Sequence, residues 1–249
     1  MEKELILLVV AIVFIGSLMR TVFGFGDSIV SMPLLALLPI DLSTSIALIG
    51  LGGFTVALLT ILSGWREVNR PVLKYLSIGT FIGIPAGLLL VKFASNTLIT
   101  FILGVFLIIY GIYSLVKPKK GKSKSLLWLN KPSWSLPFGF AAGMFGSAYN
   151  MNGVPIVIYG TMREWRPKVF RETLQAHFMI SSSLIIIGQF MGGFWSKELF
   201  ILYGFSLPAI GIANLLGKLI YGRIPTYNFE RYVFVLVILL GIMLLINNT

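Results

Sequence analysis

Inside the apolar stretches of this chain stand a few residues that could do chemistry: Arg20, the segment GFGDSIVSMP at 24–33, the segment GSAYNMNGVP at 146–155, and His177. Together they describe an anion site. A guanidinium at membrane depth costs roughly 2.5–3.5 kcal/mol on insertion scales, so Arg20 is expected to face protein or a water-filled path. There it would neutralise an anion or pair with Asp27, seven residues on. After each glycine-bearing break a short helix restarts, over about 28–38 and 152–160. A helix start offers unpaired N–H groups and the positive end of the macrodipole. Ser28, Ser31, Asn150 and Asn152 can cap such a start or donate to an oxyanion. Gly24, Gly26, Ser147, Tyr149 and Gly153 complete the candidate substrate-binding set. Asp27 and His177 are candidates for a coupling proton, with helix capping and an interior hydrogen bond as their plain alternatives. Thr173 and Ser181 stand four positions either side of His177, on the same helix face.

The two breaks are copies of one device. Superposing Gly24 on Gly146 also places Phe23 on Phe145 and Pro33 on Pro155, at a single offset of 122. A lipid-facing helix has no use for such a break, because hydrocarbon cannot satisfy the backbone groups it frees. Interrupted segments at corresponding positions of two halves point to a transporter's substrate site. FIGIPAG at 81–87 and AIGIANLLG at 209–217 repeat as well, with Gly83 over Gly211. Gly79, Gly83, Gly87, Gly211, Asn214 and Gly217 read most simply as close helix packing through small residues. Gln175, Ser182, Gln189 and Asn214 are further intramembrane polar groups able to bridge helices.

The elements that position these residues are membrane segments. The chain is 57% hydrophobic and 12% charged, with mean hydropathy +0.91, where soluble domains are about 25% charged. Apolar runs at 42–62, 72–91, 96–116, 172–194, 199–221 and 230–246 reach the roughly 20 residues a helical span needs. Runs 4–39 and 132–160 carry the breaks, which makes about eight apolar segments. No cleavable leader is evident in the start Met1-Glu2-Lys3-Glu4. Cysteine is absent and histidine occurs once, which excludes thiol chemistry and a histidine-built metal site. The net charge of +11 lies between spans and reads as topology, not nucleic-acid binding. If every segment crosses once, basic residues divide eleven to eight between the two sides; if the two broken segments are re-entrant hairpins, they divide sixteen to three. The second division obeys the positive-inside rule. The expected fold is an all-α membrane protein in two inverted repeats, each opening with a broken or re-entrant hairpin: 1–116, a basic linker at 117–131, and 132–249.

The glycine-rich break leading into proline (GFGDSIVSMPLLALL, 24–38), its second copy (GMFGSAYNMNGVPIVIYG, 143–160) and the glycine-patterned segments 79–87 and 204–217 resemble the TauE/SafE family of membrane transporters over essentially the whole chain. Gly26-Asp27-Ser28 stands where that family usually runs through consecutive glycines. The resemblance implies export of sulfite or a related organosulfur anion. No nucleotide-binding loop, zinc-protease helix or nucleophile elbow is present, so the expectation is a secondary transporter, not an enzyme, without cofactor. Its partners would be a small anion, a coupling ion such as a proton, and the bilayer of a prokaryotic cell membrane. A carboxylate transporter and a channel-like anion pore are the alternative readings.

Overall fold

The computed structural model describes residues 3–60, 66–116, 131–220 and 226–246. They form ten α-helices in the order α1 (Lys3–Phe23), α2 (Asp27–Ala36), α3 (Leu42–Thr60), α4 (Arg70–Phe93), α5 (Asn96–Val116), α6 (Ser135–Tyr149), α7 (Gly153–Met162), α8 (Pro167–Met191), α9 (Lys197–Ile220) and α10 (Thr226–Ile246). A short 3-10 turn, Pro132–Trp134, leads into α6. Among the described residues α1, α3, α4, α5, α8 and α9 are long and apolar enough to cross a membrane. Local chemistry sets the starts. Asn69 caps α4 by accepting from the Val72 amide at 3.3 Å, with Pro71 in the first turn. Ser95 and Ser196 accept from Leu98 and Leu199 at the starts of α5 and α9.

The sequence places about eight apolar segments; the structure resolves the two broken ones, 4–39 and 132–160, into two helices each. The restarts are Asp27–Ala36 and Gly153–Met162. At 21 residues α1 is about 31 Å long, enough to cross the hydrocarbon core, whereas the 15-residue α6 reaches only about 22 Å. The basic linker expected at 117–131 lies, Lys131 apart, outside the described residues.

Each half packs its first helix on the fourth helix of the other. The α4–α6 contact is backbone against backbone. A Cβ on Gly79, Gly83 or Gly87 would overlap the main chain of Leu136, Phe140 or Met144, and one on Gly139 or Gly143 would overlap Leu76 or Thr80. The two helices run parallel: the Ser135 hydroxyl donates to the Val72 carbonyl (3.2 Å) and Ser147 donates to Ile84 (2.9 Å). The α1–α9 pair is also parallel, with Val13 and Ile210 both at Gly52 and Thr21 against Gly217. Gly211, paired with Gly83 by sequence, meets nothing within 4 Å, so on α9 the small-residue contact is carried by Asn214 and Gly217 instead. α3 packs on α8, and α5 on α10.

The hairpins open toward different ends. α2 folds back along α1, the Ser31 hydroxyl donating to the Ile12 carbonyl (3.2 Å). It returns to the end where α3 and α9 start, marked by the Thr44–Ser196 hydroxyl contact of 3.2 Å. α6 instead starts beside the beginning of α4. The Glu67 and Asn69 amides donate there to Glu172 and Thr173 of α8, at 2.5 and 3.0 Å. Lys218 also belongs to that end, its amine donating to the Leu59 carbonyl at 3.3 Å.

Candidate functional site

The two helix breaks end alike. Gly24 has φ 85° and its amide donates to the Arg20 carbonyl at 2.7 Å. Asn150 has φ 56° and its amide donates to Gly146 at 2.8 Å, with Met151 donating to Phe145. These are left-handed helix ends, which glycine and asparagine tolerate best. In backbone conformation, therefore, the counterpart of Gly24 is Asn150, one turn beyond the Gly146 matched by the sequence motif. Expected as a cap for a restarting helix, Asn150 instead closes the preceding one, and Ser28 and Ser31 lie within α2. Gly26, at φ 101°, precedes α2 and supplies no side-chain cap. Asp27 takes the first helical position, where a carboxylate suits the macrodipole.

The breaks touch. The Ser28 hydroxyl donates to the Asn150 carbonyl at 2.6 Å, and Gly153 lies against Phe25 from the other break and against the Phe178 ring. The Asn150 amide group donates to the Ile46 carbonyl of α3. Asn152 donates to Ser181 of α8 at 2.7 Å, and Gln175 of α8 donates to the Gly24 carbonyl at 3.1 Å. α3 and α8 thus hold both breaks from the sides.

Arg20 is 4% exposed, and its Nη1 donates to Asp27 Oδ2 at 2.6 Å. The guanidinium lies over the Phe178 ring, 4.5 Å from its centroid. Gly53 of α3 leaves room for the pair: a Cβ there would stand 2.8 Å from Arg20 Nη1 and 3.1 Å from Asp27 Oδ2. Asp27 therefore occupies one corner of the guanidinium. Nε and Nη2, which form its two-pronged edge, are buried and meet no hydrogen-bonding group among the described residues. That edge is the one suited to grip two oxygens of a single oxyanion.

The other expected residues divide into two groups. Ser31, Ser147 and Tyr149 direct their hydroxyls to backbone carbonyls: Ser31 closes the first hairpin on itself through Ile12, while Ser147 and Tyr149, the latter to Ile99 at 3.1 Å, tie the second into the bundle. His177 lies on the face shared with Thr173 and Ser181, but away from the Arg20 pair. The Thr80 hydroxyl stands 2.8 Å from the imidazole Nε2 and 3.1 Å from the Gly139 carbonyl. His177 Nδ1 meets no partner among the described residues. Sequence reasoning missed Phe178 and Gly53. An apolar residue on an apolar helix carries no signal, whereas the glycine run 50–53, GLGG, was there to be read.

The fold and this site define a multi-pass integral membrane protein whose polar centre is built where two broken hairpins meet. The family model described as Sulfite exporter TauE/SafE matches residues 8–244, and the chain belongs to that family. No curated protein and no solved structure matched in the same comparisons.

Proposed function

We propose that the protein is a secondary transporter that exports a small sulfur oxyanion, such as sulfite, thiosulfate or an organosulfonate, across a prokaryotic cell membrane by alternating access. The observation that carries this is the two-pronged edge of Arg20, buried beside the junction of two helix breaks in a TauE/SafE family member. The anion is held by that edge together with break residues, namely the backbone at Gly24, Gly26 and Gly153 and the amide groups of Asn150 and Asn152, joined by the Ser28 hydroxyl once it turns from the Asn150 carbonyl. In our reading the halves are inverted repeats whose hairpin tips meet within the membrane. Support comes from the opposite openings of the two hairpins and from the exchange of first helices between halves. Rocking of one half against the other, with the site at their seam, would expose it alternately to each side.

The test is a binding titration with sulfite, thiosulfate, an organosulfonate and simple carboxylates, on wild type and on Arg20→Lys. Lysine keeps the charge beside Asp27 and removes the fork. Charge-assisted hydrogen bonds are worth about 1.5–3 kcal/mol each, so loss of one from the fork is expected to weaken sulfur-anion binding at least about tenfold. Unchanged affinity in Arg20→Lys and in the double variant Arg20→Ala/Asp27→Asn removes Arg20 from the site. Saturable binding of a carboxylate alone keeps the site and overturns the substrate.

A further inference from the structure

The proposed site has a charge problem whose solution is built into it. The Arg20–Asp27 pair is neutral, with one guanidinium and one carboxylate at 2.6 Å. An anion gripped by Nε and Nη2 would put two negative charges around one positive charge, at membrane depth, where a net charge is expensive. A proton on the carboxylate restores neutrality.

Among the described residues the surroundings supply no other charge. α3 presents Gly53 and carries no titratable residue. α8 presents Gln175 and Phe178, while its His177 turns to Thr80 of α4 and its Glu172 to the Glu67 amide. α9 meets α1 through Asn214 and Gly217, its Lys218 reaching the Leu59 carbonyl. From the second break, Tyr149 turns its hydroxyl to Ile99. α5 and α10 join the apolar cluster around Met32 and Leu35 through Ile99, Leu103 and Leu244, with Tyr110 among the rings of Phe106 and Phe234. Lys3 and Glu4 begin α1, at its far end. Asp27 is thus, among the described residues, the titratable group in contact with Arg20, and its side chain is 13% exposed where that of Arg20 is 4% exposed.

We propose that Asp27 takes up one proton for each singly charged anion that Arg20 binds, which couples the two movements and keeps the carrier neutral both loaded and empty. This rests on the anion-site reading above. The step is a proton transfer from water to the Asp27 carboxylate; Nη1 keeps a weakened hydrogen bond to the neutral acid, and the guanidinium charge turns to the bound anion. On release the proton leaves, the ion pair re-forms, and the empty carrier returns without a counter-charge.

The experiment measures methanesulfonate affinity against pH, because that sulfonate stays singly charged throughout, together with net flux and anion exchange in proteoliposomes. Uptake of one proton on binding makes wild-type affinity fall by about tenfold per pH unit as pH rises. Asp27→Asn is expected to bind with a flat pH profile. It should retain exchange but lose net transport, since its empty site would carry a lone positive charge. Asp27→Glu should restore the slope. A slope that survives in Asp27→Asn, or vanishes in His177→Gln, overturns the assignment, as does pH-independent binding by wild type. If wild type binds neither methanesulfonate nor sulfite at any pH, the anion-site reading falls and the coupling falls with it; a wild type that binds without a slope leaves the site and removes only the coupling.

Discussion

Arg20 is held by what is missing around it as much as by what touches it. Phe178 supports one face of the guanidinium, and Gly53 leaves space for the pair it forms with Asp27. Gly52, one position earlier, makes only ordinary contacts: a Cβ there would stand 3.5 Å from Ile210. The two glycines therefore make a matched experiment. Either alanine raises helix propensity by a similar amount, about 1 kcal/mol. At position 53 the added methyl pushes on Arg20 Nη1 from 2.8 Å and must displace the guanidinium. Gly53→Ala is expected to weaken sulfur-anion binding about tenfold, roughly 1.4 kcal/mol, while Gly52→Ala leaves it within error. Equal effects from both, read by binding titration, would mean that the space at Gly53 has no bearing on the anion.

At the scale of elements, the seam between α4 and α6 has no side chains to yield. Gly83 faces the Phe140 carbonyl and Gly143 faces the Thr80 carbonyl, main chain to main chain. Overpacking a tight interface costs about 1–3 kcal/mol when side chains can shift, and here backbone must move. Gly83→Leu and Gly143→Leu are expected to lower the Tm of the purified protein clearly, whereas Gly204→Leu on α9, whose surroundings are open, should leave it nearly unchanged. An unaltered Tm for both seam variants would refute the contact. This seam was legible in the sequence: Gly79, Gly83 and Gly87 recur every four residues, a spacing with few uses other than close packing. The face of Thr173, His177 and Ser181 was legible for the same reason, spacing on a helix. The register between the two breaks was not. Motif identity aligned Gly24 with Gly146, but a left-handed helix end accepts asparagine as well as glycine, so the conformational match shifted by a turn to Asn150. Nor could spacing decide whether Arg20 reaches Asp27 across a break, because two positive-φ glycines, Gly24 and Gly26, lie between them.

For the whole molecule, the bonds among loops make a claim about the two sides of a membrane. Glu67, Asn69, Lys168, Glu172 and Thr173 meet at one end, where Lys218 also reaches Leu59. The basic residues Arg66, Arg70, Lys74, Arg163, Arg166 and Arg171 stand on the same loops and helix starts. The opposite end, where α3, α5 and α9 begin, has Lys3, Lys92 and Lys197. The positive-inside rule assigns the first end to the cytoplasm. The return of α2 along α1 to the end where α3 starts is what lets the loops on either side of α3 and α4 fall in this order. Because the chain has no cysteine, single cysteines report sidedness without background. Substitutions at Glu67, Lys120 and Glu164 are expected to be shielded from an impermeant thiol reagent in intact cells and labelled after permeabilisation, with Ser95 and Ser196 showing the reverse. Were Glu164 to label with Ser95 instead of with position 120, the second hairpin would have to cross completely, and the two breaks could not belong to halves of opposite orientation.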